Sequence, residues 1–125
     1  MIFGLGLDLA RVARFERALA RFGPRLGRRC FTAAEWEQAM ARPKPAAALA
    51  LRWAAKEAFV KAAGLGMGRL AFTEIEVAHA AGGRPLLRLH GAVAQWARDN
   101  GGLTAHLSLT DDGDYAAAVV VLEKP

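Results

Sequence analysis

The chain opens on an apolar, glycine-spaced run, Ile2 to Leu7, that predicts a short strand. The first charge, Asp8, falls where a helix N-cap would satisfy free backbone N–H groups, so a helix is expected to start near Leu9 or Ala10. Val12, Phe15, Leu19 and Phe22 then recur at helical spacing, while Arg14, Arg17 and Arg21 recur on a different face. One stripe is core and the other basic. Gly23-Pro24 closes this helix, Thr32-Ala33-Ala34-Glu35 carries the capping-box pattern that opens a short second one, and Arg42-Pro43-Lys44-Pro45 interrupts it.

A central helix is expected from about Ala46 to Ala63, ending at Gly64-Leu65-Gly66-Met67-Gly68, because glycine is the usual residue past a helix C-terminus. Leu49, Trp53 and Val60 form its apolar stripe, and Lys56 falls on that same stripe. A charge there is expected to be held against a carboxylate or a ligand rather than left free. Glu57 and Lys61 lie one turn apart on the stripe's other margin, where both can act on one bound group.

The second half alternates as sheet. Thr73 to Val77 and Leu86 to His90 read as strands joined by a turn at Gly82-Gly83-Arg84-Pro85, and Ala92 to Arg98 fits a helix. Leu103, Ala105, Leu107 and Leu109 alternate with Thr104, His106, Ser108 and Thr110, and Asp111-Asp112-Gly113-Asp114 turns the chain into Tyr115 to Leu122. That is a terminal hairpin. With no repeat or linker, the expected architecture is a single α+β domain over residues 1–125, with helices packed on an antiparallel sheet.

Composition narrows the class. A chain of 125 residues that is 54% hydrophobic and 23% charged is an ordered globular protein with one core, at a size where oligomerisation adds useful burial. The lone Cys30 forms no internal disulfide, and three histidines give no cluster at zinc-like spacing. No apolar run is long enough to span a bilayer and no basic leader begins the chain, so a cytoplasmic protein is the simplest expectation. The net charge of +5 points to an acidic partner: a nucleic acid, an anionic cofactor or an acidic protein.

The chemistry-bearing residues are Asp8, at the junction of strand and helix, and the charges of Arg52 to Lys61. Magnesium takes one or two protein carboxylates, keeps several waters and completes its shell with phosphate oxygens, so Asp8 with Glu57 suits it. Lys61 would then offset charge on a pyrophosphate oxygen or protonate a leaving phosphate. Each residue also has an ordinary reading. Asp8 alone is an N-cap, Glu57 with Lys61 is an exposed helix pair worth about 0.3–0.5 kcal/mol, His106 is a surface histidine, and the arginine stripe is a solvated face. Gly4-Leu5-Gly6 lacks the third glycine of a dinucleotide fingerprint, and no phosphate-loop sequence is present. A basic nucleic-acid module would place aromatics on its sheet, whereas the sheet expected in the second half carries few, Phe72 and Tyr115.

Several patterns occur together and in order: Gly4-Leu5-Gly6-Leu7-Asp8-Leu9, Phe31-Thr32-Ala33-Ala34-Glu35, Arg52-Trp53-Ala54-Ala55-Lys56-Glu57-Ala58-Phe59-Val60-Lys61-Ala62, Gly83-Arg84-Pro85 and His106-Leu107-Ser108-Leu109-Thr110. Over nearly the whole chain this resembles the holo-acyl-carrier-protein synthase family, the short type of 4'-phosphopantetheinyl transferase. The resemblance implies that a serine hydroxyl of apo-acyl carrier protein attacks the β-phosphate of coenzyme A, taking phosphopantetheine and releasing adenosine 3',5'-bisphosphate in a magnesium-dependent reaction. It implies Asp8 and Glu57 as metal ligands, with Lys61 on the pyrophosphate. Lys56 would orient Glu57 or neutralise phosphate.

The same resemblance assigns Arg52, His106 and Gly83-Arg84-Pro85 to the nucleotide end of the site, with Arg42 and Lys44 reaching the 3'-phosphate. It further implies a homotrimer with active sites between subunits, Asp8 and His106 coming from a different subunit than Glu57 and Lys61. The acidic carrier gives the stripe of Arg14, Arg17 and Arg21 a docking role. Three positions depart from the family pattern: Leu65 stands where Gly-Thr-Gly is frequent, Arg84 replaces a common lysine, and Thr110 replaces a common serine. Spacing singles out no general base, since the serine proton could pass to a metal-coordinated water, to Asp8 or to Glu57. A non-catalytic scaffold for the carrier is the rival that leaves those three charged residues without a purpose.

Overall fold

The longest helix, residues Pro45–Ala63, is the axis on which the rest of the chain is packed, and its composition explains why. Proline at its first position pre-sets the backbone, and Gly64, in the left-handed region at φ 74°, ends it. Alanines at 54, 55, 58, 62 and 63 are buried and leave its surface low enough for backbone to approach closely. The computed structural model describes residues 1–66 and 68–125; Met67, in the glycine run expected to close this helix, lies outside the described residues.

In chain order the elements are β1 (Ile2–Arg11), α1 (Val12–Phe22), α2 (Pro24–Cys30), α3 (Ala33–Met40), α4 (Pro45–Ala63), a 3₁₀ turn (Phe72–Glu74), β2 (Ile75–His79), β3 (Pro85–Leu89), α5 (Gly91–Asp99), β4 (Thr104–Asp112) and β5 (Tyr115–Glu123). Among the described residues they make a three-stranded antiparallel sheet in the order β1-β5-β4 and a separate β2-β3 hairpin. The expected α+β class is what forms, with two small sheets in place of one.

One face of the three-stranded sheet packs on α4. Gly4 and Gly6 let it do so: a Cβ on either would lie 1.8 Å from the carbonyl oxygen of Ala62 or Ala58. Ala116, Ala118, Val120 and Leu122 of β5 complete that contact, and Leu49 and Phe59 of α4 are fully buried in the core. The other face stays open. Leu5, Leu7 and Leu9 of β1 are each 65% exposed. Beside them in register lie Val121, Val119 and Ala117 of β5, then His106, Ser108 and Thr110 of β4.

Two expectations are corrected here. Asp8 does not cap a helix: β1 continues through it to Arg11, the first helix starts at Val12, and Arg11 at its N-cap makes no side-chain cap bond. Pairing of Asp8 with Ala118 and Leu9 with Ala117 carries the strand on, an influence invisible to a local reading. The helix Pro24–Cys30 was not foreseen, although Pro24 holds the favoured first position. The capping box is present as expected: Thr32 accepts from the Glu35 N–H, and Glu35 accepts from the Thr32 N–H.

Candidate active site

Because side chains alternate along a strand, Gly4, Gly6 and Asp8 share the face of β1 turned to α4. The two glycines bring the strand against the helix, and Asp8 follows at the helix margin. There Lys61 Nζ donates to Asp8 Oδ1 at 3.2 Å and to the Leu7 carbonyl at 3.0 Å. Glu57, one turn before Lys61, is 9% exposed, and among the described residues its carboxylate accepts no hydrogen bond. Burial pushes the Glu57 carboxyl above its ordinary value, the neighbouring Asp8 pushes it further, and Lys61 and Arg14 pull it back.

Thus two carboxylates share one margin, and the Glu57 carboxyl stays above its ordinary value despite Lys61 and Arg14. Among the described residues no three His, Cys, Asp or Glu side chains group as a metal set. A pair of carboxylate donors nevertheless fits magnesium, which needs only one or two when phosphate oxygens and water supply the rest. Arg14, from α1, lies over the Trp53 ring at 5.2 Å and acts electrostatically on Glu57, a proximity that the helical wheel of α1 alone did not reveal. Arg17 and Arg21 continue the exposed basic face away from it.

A second feature lies at the opposite edge of the sheet. A cleft of roughly 330 Å³ is lined by Arg42, Lys44 and Arg52, by His79 of β2, and by Leu109 and Asp111 of β4. Arg52 is 4% exposed; it donates to the Ala48 carbonyl at 3.0 Å and to Gln38 at 3.3 Å, while its buried Nε finds no partner among the described residues. Burial, with Arg42 nearby, pushes the Arg52 pKa down against the pull of Glu35. A buried guanidinium with an unsatisfied N–H beside two more cations is a place for an anion.

Other expected site residues fall differently. Pro85 pairs with the cleft residue His79, and Gly83, at φ 87°, forms the tip of that hairpin, so Gly83-Arg84-Pro85 stands beside the cleft with Arg84 exposed. His106 lies on the open sheet face, 2.9 Å from Glu123, whose carboxyl this pairing holds below its usual value. It is therefore on the opposite face from Asp8. Lys56 is corrected outright as a phosphate contact: it is fully buried, and its ammonium donates to Glu35 at 2.7 Å, to the Phe72 carbonyl at 2.8 Å and to the Ile75 carbonyl. The carboxylate expected from its place on the apolar stripe is Glu35. Asp8, Glu57 and Lys61 also meet within one chain, which overturns the expected division of Asp8 from the other two. His79 was missed, since a histidine ending a strand has no distinguishing sequence signal.

An open basic cleft walled by the buried Arg52, together with two neighbouring carboxylates, suits a phosphorylated ligand and a divalent cation. The sequence profile of the 4'-phosphopantetheinyl transferase superfamily matches residues 4–120. The holo-[acyl-carrier-protein] synthase of Photorhabdus laumondii is 44% identical over 124 residues, covering 98% of both chains. The crystal structure of the Neisseria meningitidis holo-[acyl-carrier-protein] synthase superposes with a TM-score of 0.91 at 37% identity, over 99% of this chain and 100% of that one. A Chronobacterium ammoniagenes structure of this type, described as a complex with coenzyme A, gives 0.84 at 34% identity, over 98% and 97%. The chain belongs to the holo-[acyl-carrier-protein] synthase family of phosphopantetheinyl transferases.

Proposed function

We propose that this enzyme moves the 4'-phosphopantetheine group of coenzyme A to a serine hydroxyl of an apo-acyl carrier protein, with magnesium, and releases adenosine 3',5'-bisphosphate. The observation that carries the reading is the convergence of Asp8, Glu57 and Lys61 at one margin of α4, with the Glu57 carboxylate buried and unpartnered among the described residues. The serine Oγ forms a bond to the β-phosphorus as its O–H bond breaks, the proton passing to water or to one of the two carboxylates, Asp8 or Glu57. The bond from that phosphorus to the bridging oxygen breaks, and its electron pair leaves with the bisphosphate.

Asp8 and Glu57 would hold the magnesium, which when bound draws charge from the pyrophosphate oxygens. Lys61, half exposed and already oriented by Asp8 and the Leu7 carbonyl, neutralises the leaving phosphate. Arg52, Arg42 and Lys44 bind the 3'-phosphate in the cleft, the Gly83-Arg84-Pro85 turn beside it covers the nucleotide, and His106, on the other face of β4, reaches a nucleotide held by a neighbouring copy. Arg14, Arg17 and Arg21 receive the acidic carrier, with Arg14 nearest the chemistry.

The two halves of this site lie apart in one chain. The carboxylates flank β1 and the basic cleft flanks β4, the two outer strands of the same sheet. A second copy that sets its β4 edge beside β1 completes the site, and repetition of that heterologous contact closes into a ring, read here as a trimer. The open face of Leu5, Leu7 and Leu9 is what such a contact would cover.

The test is release of adenosine 3',5'-bisphosphate from coenzyme A, followed by chromatography, for the protein and for Glu57→Gln. Release is expected only with carrier and magnesium, and it should be lost in the variant. Equal release by Glu57→Gln, or indifference to a chelator, defeats the assignment of the metal site.

A further inference from the structure

We infer that the buried Glu35–Lys56 pair is a positioning device for Glu57, setting the rotation of α4 so that the Glu57 carboxylate faces Asp8; this rests on the reading of the site proposed above. Three observations carry it. Lys56 and Glu57 are consecutive, so any turn of the helix that moves one moves the other. Both side chains of the pair are fully buried at 2.7 Å. The pair also ties together four elements: Glu35 accepts from the Thr32 N–H at the start of α3 and from the Val77 N–H of β2, and Lys56 donates to carbonyls of the 3₁₀ turn and of Ile75.

The need for such a device follows from the alanines. The face of α4 toward β1 is Ala58 and Ala62 against the backbone of Gly4 and Gly6. This contact is close but has few interlocking side chains, so the rotation of α4 is set by its other contacts, Phe59 against Trp96, Trp53 against Phe15 and Phe72, and the Glu35–Lys56 pair beside Glu57. A directional set of charge-assisted hydrogen bonds supplies what the alanines cannot. Burying the pair carries a desolvation cost, and a buried ion pair is weak evidence for stability; its best-attested use is to select one arrangement over others.

The experiment compares Glu35→Gln and the charge-neutral double variant Glu35→Gln with Lys56→Met against the wild-type full chain. Three quantities are measured: folding by circular dichroism, Mn²⁺ binding by electron paramagnetic resonance as a probe independent of turnover, and the separate kcat and KM values for transfer. Folded variants are expected to bind Mn²⁺ at least about fivefold more weakly. Their kcat should fall by about ten- to a hundredfold, the scale of an ångström misplacement, with the KM for carrier unchanged.

Folded variants with wild-type Mn²⁺ affinity and kcat overturn the inference and leave the pair a stabilising contact only. If the double variant does not fold, the nearly isosteric Glu35→Gln decides by the same criteria. A wild-type protein that binds no Mn²⁺ and transfers nothing overturns the underlying site reading, and this inference with it.

Discussion

Gly6→Ala is the substitution through which the fold and the chemistry are most tightly joined. An added Cβ would lie 1.8 Å from the Ala58 carbonyl oxygen and 2.8 Å from both the Ala58 carbonyl carbon and the Ala62 nitrogen. All three are backbone atoms of a helix buried on most of its surface, so none can swing aside. Ordinary contact begins at 3.4 Å, so β1 and α4 must part by about 1.6 Å along that line. Overpacking of a core costs about 1–3 kcal/mol, and the upper end is expected where backbone opposes backbone.

The displacement is passed on to Asp8, two residues further on the same strand face, and so to its contact with Lys61 and its approach to Glu57. An ångström of misplacement at a reacting centre costs roughly a hundredfold. The assay pairs denaturant unfolding with carrier-modification turnover, using Gly82→Ala as the control because nothing lies within 4 Å of a Cβ there. Gly6→Ala should lose about 2–3 kcal/mol of stability and most of its kcat. A Gly6→Ala protein that unfolds and turns over like Gly82→Ala would refute the close-approach account.

Three further outcomes follow from other parts of the molecule. Reversing Arg17 and Arg21 to glutamate, which leaves Arg14 at its Trp53 shelf, should raise the KM for carrier by about tenfold or more while sparing coenzyme A affinity, and salt should weaken carrier binding to the wild type. On the proposed trimer, Leu7→Asp on the open sheet face should leave a folded monomer in sedimentation and abolish turnover; assembly unchanged from the wild type removes that face from the interface. The third concerns acid. Burial pulls the Glu76 carboxyl upward, but hydrogen bonds from His90 at 3.0 Å and Thr32 at 2.8 Å outweigh it, leaving the pKa below the ordinary 4.5. A lowered carboxylate pKa contributes stability that is present above the unfolded value and is lost as pH falls through the folded one. Glu76→Gln should therefore show a shallower loss of melting temperature below pH 4.5 than the wild type, as followed by circular dichroism.

The helices with strong periodicity and clear stops were legible. Val12, Phe15 and Leu19 mark α1, Gly64 ends α4, and the alternation from Leu103 through Leu122 marks the β4-β5 hairpin. Where the reading slipped, tertiary pairing had overruled a local signal. Asp8 resembles a cap, yet β5 holds it in a strand. Thr73 and Glu74 alternate like the strand that follows, yet they form a 3₁₀ turn whose Glu74 carboxylate accepts from the N–H groups of Ala92 and Val93 at the start of α5. Of the site, Glu57 and Lys61 were legible as a helix pair because one turn separates them. Their meeting with Asp8 depends on two glycines whose purpose appears only when β1 is laid against α4. Lys56 shows the limit of pattern reading: its place on the apolar stripe called for a partner, and only the fold identifies Glu35.

The central claim, magnesium-dependent transfer to a carrier serine, is met most directly by an intact-mass spectrum. Apo-acyl carrier protein is incubated with this protein, coenzyme A and magnesium, beside a chelated control. The account predicts a mass gain of one phosphopantetheine per carrier, absent under chelation. A carrier that keeps its mass, across several acyl carrier proteins and with the enzyme folded, would contradict it.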